Sequence, residues 1–137
     1  MNIKRMTALA LLIVSFASCQ NKQQRPDNSL DTGRAFIRAS LDGDFKTARD
    51  LLIPDSANSE LFDSYEDYYG KLPEDRKENY RKASYEVNKI TEANDSTVTI
   101  NYSNSYMHEP MEIRVVRRTG VWMVDFEYMY ASDSTGK

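Results

Sequence analysis

The sequence predicts an α+β fold: N-terminal helices packed on one face of a curved four-stranded antiparallel meander sheet. Three observations carry this. Apolar residues recur at helical spacing from Leu30 to Leu72. From Ala83 onward the apolar period falls to two. Three turn signals, Asn94-Asp95, Met107-His108 and Thr119-Gly120, then divide the second half of the chain at hairpin spacing.

The first helix is expected to start near Ser29. Asp27, Asn28 and Ser29 are candidate N-caps and Asp31 lies in the first turn. Leu30, Ile37 and Leu41 mark its apolar face, and Asp42-Gly43-Asp44 breaks it. Phe45, Ala48, Leu51 and Leu52 mark a second short helix, capped by Asp44 and ended before Pro54. A loop over residues 55–58 precedes a third helix, whose stripe is Leu61, Phe62, Tyr65, Tyr68, Tyr69 and Leu72. Gly70 is expected just past its end. Pro73, with Glu74 and Asp75 behind it and Arg81 and Lys82 at the far end, fits a fourth segment aligned with the helix dipole. Core packing is the main reading of the tyrosine stripe, a binding platform the lesser one.

If each turn signal is a two-residue turn, the pairing can be written out. Tyr102 opposes Val87 and Ile113, Ile113 opposes Phe126, and Ile100 opposes Val115, which opposes Val124. Asn104 opposes Met111, which opposes Tyr128. Opposed residues of an antiparallel ladder point the same way, so these residues share one buried face. A one-residue slip in any hairpin would put apolar side chains in water. Lys89, Thr91, Arg117 and Trp122 are then placed on the inner face, and Ile90, Val116, Met123, Arg114, Asp125 and Glu127 on the outer. No helix is expected after Tyr85.

The N-terminus reads as an export signal. Lys4 and Arg5 precede a run from Met6 to Ala17 that is too short to span a bilayer, which needs about 20 apolar residues. It ends in Phe16-Ala17-Ser18-Cys19, which resembles the lipobox of Gram-negative bacterial lipoproteins. The resemblance implies cleavage before Cys19 and lipid attachment to it, and so a membrane partner and palmitate-type acylation. The competing reading is a soluble secreted protein with a chance cysteine, but a lone exported thiol is a reactive liability. The expected organisation is a leader over 1–18, lipidated Cys19 with a flexible tether over 19–28, one α+β domain over 29–132, and a disordered tail over 133–137. Gln20-Asn21-Lys22 carries no acidic run, so the expected location is the bacterial cell envelope, facing the periplasm. The whole chain has 18 basic against 21 acidic residues, which argues against nucleic acid as a partner.

The segments "AFIRASLDGDFKTARDLL", "YEVNKITEANDSTVTINY" and "GVWMVDFEY" together resemble the nuclear transport factor 2-like superfamily. In particular they resemble small bacterial lipoproteins of unknown function with a cystatin-like domain. That resemblance implies a cone of helices wrapped by a curved sheet, with a pocket at its open end. Some relatives are isomerases or dehydratases, and others bind ligands or partners without chemistry. Relatives often associate through the sheet, so the outer row of Ile90, Val116 and Met123 is the candidate face for an envelope protein or a homodimer. Three apolar side chains are also ordinary on a monomer.

No cofactor and no metal are expected. His108 lies in a turn beside Glu109, and no Ser-His-Asp set, Gly-rich phosphate loop or Cys/His cluster follows Cys19. Asp125 with Arg114 reads as a surface ion pair. The candidate ligand residues are Lys89, Tyr102, Arg117 and Trp122, a cationic, aromatic lip suited to an anion, with Arg117 stacked on Trp122. The competing reading lets the long cations reach solvent at the sheet margin. The expected function is a non-catalytic ligand- or partner-binding module. The alternative is an isomerase- or dehydratase-like enzyme with Tyr102 or Tyr128 as acid and a carboxylate from the helices as base.

Overall fold

A computed structural model describes residues 24–133. The leader, Cys19, the first part of the tether and residues 134–137 lie outside the described residues. Four helices, α1 (Ser29–Asp42), α2 (Phe45–Asp50), α3 (Ser56–Gly70) and α4 (Glu74–Lys82), precede four strands. These are β1 (Tyr85–Asn94), β2 (Thr97–Asn104), β3 (Pro110–Arg118) and β4 (Val121–Asp125), paired antiparallel in the order β1-β2-β3-β4. A fifth helix, α5 (Glu127–Asp133), follows the sheet. The expectation of no helix after Tyr85 is therefore corrected, and α5 reaches the first residue of the expected tail.

The caps are those the sequence supplies. The Asn28 side chain accepts from Asp31 N at 2.8 Å, and Gly43 ends α1 in the left-handed region at φ 72°. Asp44 caps α2 through Thr47 N, and hydrogen bonding by the Thr47 side chain and then its backbone holds the Asp44 carboxyl below the usual range. Asp55 caps α3 through Asn58 N at 2.9 Å, so α3 begins at Ser56 and takes in most of the expected loop. Gly70 is the last helical residue, and Lys71 is the cap. No residue of α4 is buried. Arg38 of α1 holds its end instead, donating to Ala83 O at 2.8 Å and Arg81 O at 3.1 Å. The tether is also tied where it is described. Arg25 donates to Asp50 O at 2.8 Å and to Trp122 O at 3.3 Å, because its guanidinium can serve two carbonyls at once.

Each hairpin departs from the expected pairing in its own way. Between β1 and β2, Val87 opposes Tyr102 as expected, but then Lys89 opposes Asn101 and Ile90 opposes Ile100. Asn88 is the extra residue of a bulge, with its amide donating to Asn101 Oδ1 and Ser103 Oγ on the outer face. Between β2 and β3, Tyr102 opposes Met111 and Ile100 opposes Ile113, two residues away from the expected register. An even slip keeps every face. Its cause is a connection over residues 105–109, folded around Asn104 Oδ1, which accepts from Tyr106 N and Met107 N. Between β3 and β4 the register is the expected one, around a Thr119-Gly120 turn with both φ positive. The ladder ends at Asp125, so the expected Ile113–Phe126 and Met111–Tyr128 pairs do not form.

The core lies between α1 and the inner face of β2 to β4, with Ile100, Ile113, Val115 and Val124 fully buried. The backbone of α1 comes close to the sheet at Gly33. A Cβ there would run into Ile100 Cδ1, with Ile113 Cδ1 at 3.4 Å behind it. Gly33→Ala is therefore expected to destabilise the fold by ~1–2 kcal/mol, the overpacking cost outweighing the helix propensity gained. Ile100→Val, which lacks the clashing methyl, should recover part of that loss in the double variant. Additive losses in urea denaturation would show that Gly33 is not needed for close approach.

Candidate functional site

A cavity of about 570 Å3 lies at the end of the sheet where β2 passes into β3. α1 gives it Phe36, Ser40 and Leu41, and α3 gives Tyr65 and Tyr69. The sheet gives Tyr102, Asn104 and Met111, and the chain beyond β4 gives Phe126, Met129 and Tyr130. The helices reach it because the α3 stripe, apart from the exposed Tyr68, faces inward, where Tyr65 packs edge-on to Phe45 at 5.7 Å. α5 reaches it because Asn58 fixes the turn out of the sheet. Asn58 is buried, and its Oδ1 accepts from Phe126 N at 2.5 Å and Glu127 N at 3.2 Å.

Tyr102 is the one predicted ligand residue that lines this space. It is buried, its hydroxyl lies 3.9 Å from Met111 Sδ, and desolvation pushes its pKa well above the usual range. Burial does the same to Tyr65. Both residues line the cavity, and both are therefore neutral phenols at physiological pH.

The remaining lip residues lie elsewhere. Arg117 does stack on Trp122, with its guanidinium carbon 5.4 Å from the ring centroid. This pair stands at the opposite end of the sheet, where Arg117 N bonds Ser96 O in the β1–β2 turn. Lys89 is not with it. The Asn88 bulge turns Lys89 and Thr91 to the outer face, since they oppose Asn101 and Thr99. The expected four-residue lip is thus corrected to an Arg117–Trp122 stack alone. The same bulge takes Ile90 out of the expected partner row and sets it opposite inner-face Ile100, where it stays exposed at the sheet margin. Val116 and Met123 oppose each other as expected.

Tyr128 is corrected as well. Because α5 replaces the end of the expected fourth strand, Tyr128 sits on the outer side. Its hydroxyl donates to Glu112 Oε1 at 2.6 Å, and its ring lies under Arg114 at 4.6 Å. The hydrogen bond to the Glu112 carboxylate raises the Tyr128 pKa. Asp125 is 7% exposed and bound by Arg114 through Nε at 2.9 Å and through Nη2. It is a buried carboxylate in a paired, two-donor site, not the expected surface pair. Of the acids lining the cavity, Glu109 is exposed and Glu112 is held by Tyr128. His108 is exposed, with a left-handed backbone at φ 59°. Among the described residues, no group of three or more His, Cys, Asp or Glu is placed to hold a metal ion, and no helix is long and apolar enough to cross a membrane.

Met129, Tyr130, Ser40 and Asn104 are cavity residues that sequence reasoning missed. A signal for the first two exists. Phe126, Met129 and Tyr130 follow i, i+3, i+4 spacing, which overlaps the alternation of Trp122, Val124, Phe126 and Tyr128. No family model matches the chain, and a search of curated proteins finds no match to it.

Proposed function

We propose that this protein is a lipid-anchored binding module of the bacterial envelope, facing the periplasm. In this reading Cys19 carries the anchor, the domain is a cystatin-like cone of the nuclear transport factor 2-like kind, and the cavity holds a small ligand without chemistry. The observation that carries the reading is the cavity wall. A space of about 570 Å3 lies in the range of small-molecule sites and is lined by tyrosines, phenylalanines and methionines with few polar groups. The isomerase-like alternative needs a buried carboxylate facing that space to act as base. The acids at the cavity are exposed or hydrogen-bonded, and Asp125, the buried acid among the described residues, is paired with Arg114. The outer row shrinks to Val116 and Met123 once Ile90 is lost from it, so the cavity is the better supported site.

The test is native mass spectrometry of the chain extracted from its own envelope, beside Met111→Trp, which fills the cavity from β3. A small molecule is expected on the parent chain and not on the variant. Cys19→Ala should move the chain to the soluble fraction and abolish palmitate labelling. An empty parent chain, or a ligand retained by Met111→Trp, would sink the cavity reading. Unchanged fractionation of Cys19→Ala would sink the anchor.

A further inference from the structure

The polar atoms of the cavity wall are not evenly satisfied. Asn104 is 2% exposed, on the inner face of β2 two residues beyond Tyr102. Its Oδ1 is committed to two backbone donors, Tyr106 N at 3.0 Å and Met107 N at 2.8 Å. That fixes which way the amide points. Its Nδ2 is buried with no hydrogen-bond partner. Among the other lining residues, Ser40 Oγ of α1 and the Tyr69 hydroxyl of α3 are also buried and unpartnered. A buried donor left unmade loses its hydration with nothing in return, so an orphan of this kind in a native fold calls for a partner. Asn104 Nδ2 can only donate. Its missing partner is therefore an acceptor.

The charge of the wall narrows the class further. Among the described residues, no lysine, arginine or histidine lines the cavity, whereas Glu109 and Glu112 do. An anion would lose its hydration with no counter-charge in return. A simple cation would find aromatic rings and carboxylates but could accept nothing from Asn104. Both neutral tyrosine hydroxyls, of Tyr65 and Tyr102, tolerate an uncharged guest.

We infer that the cavity selects an uncharged, mainly apolar molecule bearing a carbonyl-type oxygen, which Asn104 Nδ2 receives as the fixed donor, with Ser40 Oγ serving a second polar atom. This rests on the reading that the cavity holds a ligand, and it reverses the expected preference for an anion.

Three probes of one shape separate the two ideas: acetylnaphthalene, ethylnaphthalene and naphthoate, titrated into the full chain. Binding is followed by the NMR resonances of the Asn104 side-chain amide. Acetylnaphthalene is expected to bind about tenfold more tightly than either relative and to shift the Asn104 amide protons downfield. Asn104→Asp keeps the oxygen that caps Tyr106 and Met107 but removes the donor, and should abolish that preference. Should this variant fold poorly, Ser40→Ala supplies the second arm. It removes an unpartnered hydroxyl from a helix, so the free protein should stay as stable as the parent while acetylnaphthalene binding weakens about threefold. Equal binding of the acetyl and ethyl compounds, or tightest binding of naphthoate, would overturn the inference and leave the cavity reading intact. Binding of none of the three would overturn both, the orphan donor then being served by water alone.

Discussion

Phe62→Ala is expected to lower the unfolding free energy by ~3–5 kcal/mol, against a total of about 5–15 kcal/mol for a domain of this kind. Phe62 is fully buried at the point where α1, α2, α3 and the end of the sheet meet. Its ring lies 5.2 Å from Phe126, 5.8 Å from Tyr65, 5.9 Å from Phe45 and 6.3 Å from Phe36. Arg49 covers its remaining face at 5.1 Å, and Arg49 is itself held by Asp63 at 2.6 Å and Glu66 at 2.8 Å. Truncation leaves a void bounded by four rings that belong to different elements. They cannot collapse into it together without moving the helices. Phe36 and Phe126 also line the cavity, so the variant should lose ligand capacity along with stability. Tyr68 of the same stripe is the control. It is 59% exposed, and its replacement by alanine should change stability by no more than ~0.5 kcal/mol. Equal losses for Phe62→Ala and Tyr68→Ala in urea denaturation would show that the aromatic cluster is not the centre of the core.

Asn58→Ala is expected to cost ~2–4 kcal/mol and to release α5. The Asn58 side chain bonds three residues at once. It donates to Asp55 Oδ1 at 2.9 Å, and its oxygen receives the amides of Phe126 and Glu127. Without that oxygen two N–H groups lose their partner at a buried turn, each costing ~1–3 kcal/mol. α5 is short and has little cooperativity of its own, so fixing its first turn decides whether it forms. Its loss would strip Met129 and Tyr130 from the cavity wall. Hydrogen exchange gives the measurement: the Phe126 and Glu127 amides should be protected in the parent and exchange freely in Asn58→Ala. Asn58→Asp keeps an acceptor near the start of α5, where the dipole favours negative charge, but sets it beside the Asp55 carboxylate. It should recover part of the protection. Full protection in Asn58→Ala would mean that α5 is held by packing alone.

The legibility of each element in the sequence follows the range of the interaction that fixes it. Helices α1 and α2 were readable because Asn28, Gly43 and Asp44 act on backbone groups within three or four residues of themselves. The Thr119-Gly120 hairpin was readable for the same reason, and with it the Arg117–Trp122 stack. The expected β2–β3 register differs from the observed one by two residues without harm, because an even slip leaves Tyr102, Ile113 and Val115 on the buried side. The site was less legible than the fold. One extra residue, Asn88, turned Lys89 outward and Ile90 inward, and nothing in the alternation around it announces a bulge. The Asn88 amide finds its acceptors, Asn101 and Ser103, on another strand.

By itself, then, the sequence determined the class: helices first, a four-stranded antiparallel sheet after them, and one face of that sheet buried. Those features depend on periodicity, caps and turn chemistry, which are local properties of the chain. Tertiary structure alone decided where the cavity and its polar atoms lie. It placed Asn58 against an amide 68 residues away, turned the last expected strand residues into α5, and left Asn104 Nδ2 without a partner beside an aromatic cavity. The reason is physical. Whether a polar atom is satisfied and whether a space is filled depend on residues brought together from distant parts of the chain, and no repeat or spacing along it records that meeting.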